Sequence, residues 1–153
     1  MFTSPPGVGC GLVVTATLLI LTRRMKETAE IRFTTSDALI LGIAQGLAIM
    51  PGISRSGLTI AVALGLGATR PSAARLSFLI AIPATIGAAV LEGGAYGLPP
   101  LSEWPTLFAG VVMAAVVGYL ALIWLNRWLH QGRLHYFAYY LYPLGIATWV
   151  FSA

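Results

Sequence analysis

Pro51-Gly52 divides an apolar stretch of 32 residues, Asp37 to Ala68, into two pieces. Asp37–Met50 has 14 residues and Ser56–Ala68 has 13, so each is about 20 Å long as a helix rising 1.5 Å per residue. The hydrocarbon core of a bilayer is about 30 Å thick, and neither piece crosses it alone. Proline removes a backbone donor and disfavours helix at the residue before it, so the two cannot fuse into one rod. The pattern predicts a re-entrant hairpin over 37–68, entering and leaving the membrane on one face. A bilayer is the right solvent to assume. The 153 residues are 58% hydrophobic and only 9% charged, with a mean hydropathy of +0.84, whereas soluble domains carry about 25% charged residues.

Around the hairpin the sequence predicts four spans. Gly7–Thr22 is closed by the polar run RRMKETAEIR; Leu76–Leu91 contains Pro83; Trp104–Trp128 is flanked by tryptophans; Tyr136–Phe151 opens on a group of tyrosines. The aromatic groups fit interface anchors. Helix starts are predicted at Ser36-Asp37, at Thr69 with Pro71, and at Ser102 with Pro105. The fold class is therefore an all-α integral membrane protein, with about four transmembrane helices plus one re-entrant helix-break-helix hairpin, in a single domain over 1–153. The first apolar run ends in Arg23-Arg24 rather than in a small-residue cleavage site, so no removable signal segment is expected. Cys10 is the lone cysteine and reads as a small apolar side chain in a span.

Charge placement tests the hairpin. With 37–68 re-entrant, Arg23, Arg24, Lys26, Arg32, Arg70, Arg75, Arg127 and Arg133 all fall on one face, and the Glu92–Glu103 loop opposite has no lysine or arginine. That is the positive-inside pattern. A single crossing would strand four of the arginines on the other side. The net charge of +4 thus reports topology, and no nucleic-acid partner is expected. His130 and His135 fall in the interfacial stretch WLHQGRLHY and read as solvated loop histidines.

Arg55 is the ninth basic residue, at the hairpin tip. An isolated arginine at mid-membrane costs about 3 to over 10 kcal/mol, so it needs a polar cavity or a partner. Ser54, Ser56 and Thr59 supply hydroxyls, and Gly52 and Gly57 leave room for a ligand against the backbone. The second short helix adds the N–H groups and positive dipole end of its first turn. A planar guanidinium, hydroxyls and a helix N-terminus suit an oxyanion, phosphate above all. The other reading is a structural pair with an acid, but Glu27, Glu30, Asp37, Glu92 and Glu103 all lie near membrane surfaces. Gln45 either hydrogen-bonds into this site or makes a helix–helix contact, and Gly42 with Gly46 forms a GxxxG packing face.

The segment GIAQGLAIMPGISRSGLTIAVALGLG, Gly42 to Gly67, closely resembles the second signature of the bacterial undecaprenyl pyrophosphate phosphatase family, the bacitracin-resistance proteins. PGISRSGLT meets the PGxSRSGxT pattern in full. The resemblance implies one repeat, the C-terminal one, of an inverted-repeat fold about twice this length. It implies that Arg55 holds the pyrophosphate with Ser54 and Ser56 beside it, these three being the catalytic candidates, and with Thr59 more loosely involved. It also implies a prenyl pyrophosphate lipid substrate, surrounding membrane lipids, a bacterial plasma membrane location, and a divalent cation, Mg or Ca.

The departure from the family pattern is specific. Where the other signature has two glutamates four apart and then a histidine, this chain has Gln45, Ile49 and Leu58. The metal ligands are therefore expected outside this chain, on an N-terminal repeat. A homodimer is the other possible partner, although it would pair two Arg55 side chains and still lack the carboxylates. Ser54 or Ser56 as nucleophile lacks an adjacent base. Two non-hydrolytic readings stay open: a half-module of a lipid or anion transporter or flippase, since broken helices at the midplane serve that purpose too, and an inactive packing remnant.

Overall fold

The computed structural model describes residues 5–25, 34–97, 99–133 and 135–151, and all regular structure among them is helical. The helices are α1 (Pro5–Thr22), α2 (Thr35–Leu47), α3 (Arg55–Gly65), α4 (Arg70–Tyr96), α5 (Trp104–His130) and α6 (Tyr136–Val150), with a 3₁₀ turn at Leu101–Glu103 before α5. Local chemistry sets the starts. Thr34, not Ser36, caps α2: its hydroxyl accepts from the Asp37 N–H at 3.3 Å, and its own N–H donates to Asp37 Oδ2 at 2.8 Å. That backbone bond first, and the Thr34 hydroxyl second, hold the Asp37 carboxyl below the usual carboxylate range. Thr69 caps α4 through the Ser72 N–H, with Pro71 in the first turn, as expected. At α5 the cap position is Glu103, without a side-chain bond, and Ser102 lies inside the 3₁₀ turn. Glu27 and Glu30 lie outside the described residues.

The break falls where Pro51 puts it. Helix α2 ends at Leu47, Gly52 adopts a φ of 88°, and α3 restarts at Arg55 under the Ser54 cap. The tip seats on α1 by backbone-to-backbone approach. A Cβ on Gly11 would lie 2.5 Å from the Pro51 carbonyl oxygen, and one on Gly52 would meet the Val8 carbonyl. Gly11 and Thr15 are about 9 and 15 Å along the roughly 27 Å of α1, so the tip sits half-way along that helix. The second arm then returns, because a Cβ on Gly65 would lie 3.9 Å from Met25 Cε, just past the end of α1. At the same end of the bundle the Arg70 guanidinium lies beside Gly132 of the α5–α6 connection, 2.5 Å from where a Cβ would be. The second arm thus runs from mid-α1 back toward the C-terminal end of that helix.

Helix α6 lies antiparallel along α1. Gly9 and Gly145 meet closely, a Cβ on Gly9 falling 2.7 Å from the Gly145 carbonyl oxygen, and further along Thr17 and Tyr142 share a 2.9 Å hydrogen bond. Among the described residues three helices, α1, α4 and α5, are long and apolar enough to cross a membrane. The fourth expected span, α6, has 15 residues and is about 22 Å long; it reaches the level of the first turns of α1 through that contact. The chain is a multi-pass membrane protein. Its dry interior centres on Ala16, Leu19, Leu41, Ile60, Leu64 and Leu129, while none of the most apolar 18 residues of α5 is buried.

One packing expectation is corrected. A Cβ on Gly42 or Gly46 would meet nothing within 4 Å, so the GxxxG face of α2 makes no close contact within this chain. The small residues that do bring helices together are Gly9, Gly11 and Gly145. Gly11→Ala is expected to lower stability by about 1–3 kcal/mol through forced overpacking. Gly42→Ala is expected to be neutral or to stabilise by up to about 1 kcal/mol. Thermal midpoints of the purified variants check the contrast.

The fold also fixes sidedness. In a background where Cys10 is replaced by alanine, Leu101→Cys and Gln131→Cys are expected to react with an impermeant thiol reagent from opposite sides of the membrane. Labelling of both from one side would contradict the span parity described above.

Candidate active site

Ser54 ends the break and begins α3, and its hydroxyl accepts from the Gly57 N–H at 3.1 Å. The Leu58 N–H starts the helical ladder on the Ser54 carbonyl. The N–H groups of Arg55 and Ser56 belong to the first turn and have no partner within the helix, as in any helix start. A positive dipole end therefore coincides with the arginine.

Beside this start lies a cavity of about 210 Å³. Thr15, Ser54, Ser56 and Gly57 form its polar side, while Leu19, Ile60, Leu125, Phe137 and Leu141 form an apolar side drawn from α1, α3, α5 and α6. Whole small-molecule sites occupy about 300–1,000 Å³, so this space accommodates part of a ligand, with hydroxyls at one end and hydrocarbon at the other.

The structure separates the motif's side chains. Ser54, Ser56 and Gly57 line the cavity, whereas Arg55 does not; its side chain is exposed. No ion pair reaches Arg55 among the described residues. Thr59 is 1% exposed and its hydroxyl is held by the Arg55 and Ser56 carbonyls and by Ser77 Oγ at 2.6 Å. It joins α3 to α4 and does not line the cavity. Gly52 spends its backbone freedom on the approach to α1. Gln45 is also outside the cavity, and both polar atoms of its amide are buried without a partner among the described residues. His130 is the last residue of α5 rather than a loop residue, its Nδ1 2.7 Å from the Asn126 carbonyl oxygen. His135 Nδ1 lies 3.1 Å from the Gly132 carbonyl oxygen, and its ring stacks on Tyr136.

Thr15 is the residue that sequence reasoning missed. Its hydroxyl donates to the Gly52 carbonyl at 3.1 Å and accepts from the Ser54 N–H at 3.0 Å, closing the break from a neighbouring helix. It is 2% exposed and also lines the cavity. The available signal was modest: Gly11 and Thr15, four apart, present one small face of α1.

Three lipid-length apolar helices packed around a broken helical hairpin define an all-α integral membrane protein. The chain belongs to the family described as bacitracin resistance protein BacA, whose pattern matches residues 1–147. It is 42% identical to the undecaprenyl-diphosphatase of Halothermothrix orenii over 153 residues, covering 95% of this chain and 58% of that protein. The undecaprenyl-diphosphatase of Methanothermobacter thermautotrophicus is 42% identical over 151 residues, covering 95% and 83%. That of Desulfatibacillum aliphaticivorans is 41% identical over 155 residues, covering 98% and 55%. The chain thus spans a little over half the length of two of these relatives and most of the third.

Replacing Thr15 tests the closure of the break. Thr15→Val leaves the Ser54 N–H and Gly52 carbonyl unpaired and is expected to cost about 1–3 kcal/mol of stability. Thr15→Ser keeps the hydroxyl and is expected to cost less than half as much. Hydrogen exchange over 50–57 should accelerate in the valine variant only.

Proposed function

We propose that this chain is the pyrophosphate-binding part of an undecaprenyl-diphosphatase of the bacterial plasma membrane. In that reaction water cleaves the terminal P–O bond of the C55 prenyl pyrophosphate, releasing inorganic phosphate and leaving the lipid monophosphate. The observation that carries this reading is a helix start offering Ser54, Ser56 and an arginine without a carboxylate partner, next to a cavity that is polar at one end and apolar at the other. Arg55 supplies a two-pronged charge for the phosphate oxygens. The first-turn N–H groups of α3 and the serine hydroxyls add donors where negative charge builds up in the transition state. The apolar wall suits the first part of the prenyl chain.

The family resemblance implies a divalent cation, and the residues at this hairpin do not fit one. Mg and Ca take carboxylate and carbonyl oxygens, whereas the donors here are hydroxyls and a guanidinium. Among the described residues no three His, Cys, Asp or Glu side chains converge. We place the carboxylates on a second repeat supplied by another segment or chain. A second copy of this chain brings another Arg55 but the same Gln45, Ile49 and Leu58. A hairpin tip half-way along α1 also suits a transporter half-module, and uptake into sealed vesicles without phosphate release would favour that reading.

The test is binding and turnover of a prenyl pyrophosphate by the purified chain. Binding is expected to be weak, with no measurable phosphate release until a polypeptide carrying the acidic repeat is added. Arg55→Ala is expected to weaken binding at least tenfold, and Arg55→Lys nearly as much, because lysine keeps the charge but loses the planar fork. A lysine variant that binds like the parent would remove the two-pronged account, and metal-dependent hydrolysis by the chain alone would remove the division of labour.

A further inference from the structure

We propose a second anion site, specific for an anionic phospholipid, in the cleft between α4 and α5 at the basic end of the bundle. Two adjoining hollows lie at that end, one between α4 and α5 and one on the neighbouring face of α5. One, of about 220 Å³, is lined by Arg75 and Phe78 of α4 with Leu122, Ile123 and Asn126 of α5. The other, of about 440 Å³, is lined by Ile123, Asn126, Arg127, His130 and Gln131. Ile123 and Asn126 line both, so the hollows adjoin across these two side chains, with Arg75 beside one and Arg127 beside the other. Both arginines are exposed, and neither has an ion pair among the described residues.

Depth points to a lipid rather than a soluble anion. Helices α4 and α5 have 27 residues each, about 40 Å, which matches a bilayer including its headgroups. With a hydrocarbon core of about 30 Å, roughly 5 Å of each helix end lies in the headgroup layer. Arg75 is five residues in from the start of α4, and Arg127 is three residues from the end of α5. They therefore stand about 8 and 5 Å from the helix ends, at the boundary where lipid phosphates lie. Below them Phe78, Leu122 and Ile123 begin an apolar wall that continues into the unburied length of α5. A phosphodiester at the arginines would lay its acyl chains along that wall. Two guanidiniums without a nearby carboxylate favour a headgroup with no amine of its own. Basic pockets between helices on one membrane face bind anionic headgroups for this reason.

The site is separate from the hairpin and does not depend on its function. The experiment is native mass spectrometry of the chain released from mixed phosphatidylcholine and phosphatidylglycerol vesicles. Retained phosphatidylglycerol is expected to exceed its share of the vesicle. Arg75→Gln and Arg127→Gln are each expected to cut that enrichment about fivefold, and the double variant more than tenfold. Arg24→Gln, beyond the end of α1, is expected to leave it within about twofold. If the double variant does not fold, the two single variants decide. The proposal fails if enrichment is absent, if it survives both substitutions, or if Arg24→Gln lowers it equally, which would mean diffuse surface attraction. Loss of added prenyl pyrophosphate from the Arg75 and Arg127 variants in place of phosphatidylglycerol would also overturn it, because the cleft would then serve the hairpin's ligand.

Discussion

A chain that interrupts a helix inside a membrane leaves polar backbone groups with no water to take them. Each unsatisfied group costs several kcal/mol in hydrocarbon, so a break is tolerated only where protein supplies the missing partners. At Pro51–Ser54 the partner is α1. One hydroxyl, that of Thr15, serves both a carbonyl and an N–H of the break, and Gly11 lets the two backbones come close enough for it to reach. The start of α3, its cap and the cavity beside it all inherit their position from that seat.

The short motif distributes its side chains to three tasks. Ser54 and Ser56 face the cavity, Arg55 is exposed, and Thr59 locks α3 to Ser77 of α4. An exposed guanidinium between two residues that line the cavity leaves its charge open to an anion. The amide of Gln45 follows the same logic from the other arm of the hairpin: both its polar atoms are buried and have no partner among the described residues, and such groups cost about 1–3 kcal/mol until something bonds them.

Much of this organisation was legible because it rests on local or summed properties. Pro51-Gly52 marks the break by its own stereochemistry, the long apolar runs mark α1, α4 and α5 by their summed hydropathy, and PGISRSGLT carries the resemblance to the family that matches residues 1–147. What escaped depends on partners far apart in the chain. Thr15 lies 39 residues from Ser54, and a threonine within an apolar helix carries no periodic sign of which backbone it will serve. Ser77 is hidden for the same reason. Gly42 and Gly46 misled because GxxxG says that a helix can be approached closely, not which helix approaches. Ser36 and Ser102 misled by one or two residues, since a neighbouring threonine or a 3₁₀ turn can displace a cap.

The antiparallel contact between α1 and α6 has a bearing on biogenesis. Thr17 and Tyr142, which share a hydrogen bond, are separated by 125 positions. At about 5–20 residues per second of synthesis, α1 waits roughly 6 to 25 s in the membrane before its neighbour is made. During that interval the Gly9 surface lies open, and the hollow beside Ser54 lacks Phe137 and Leu141. Helix α6 is therefore the element that completes the apolar wall, and a nascent chain stalled before Tyr136 would present its hairpin uncovered on that side.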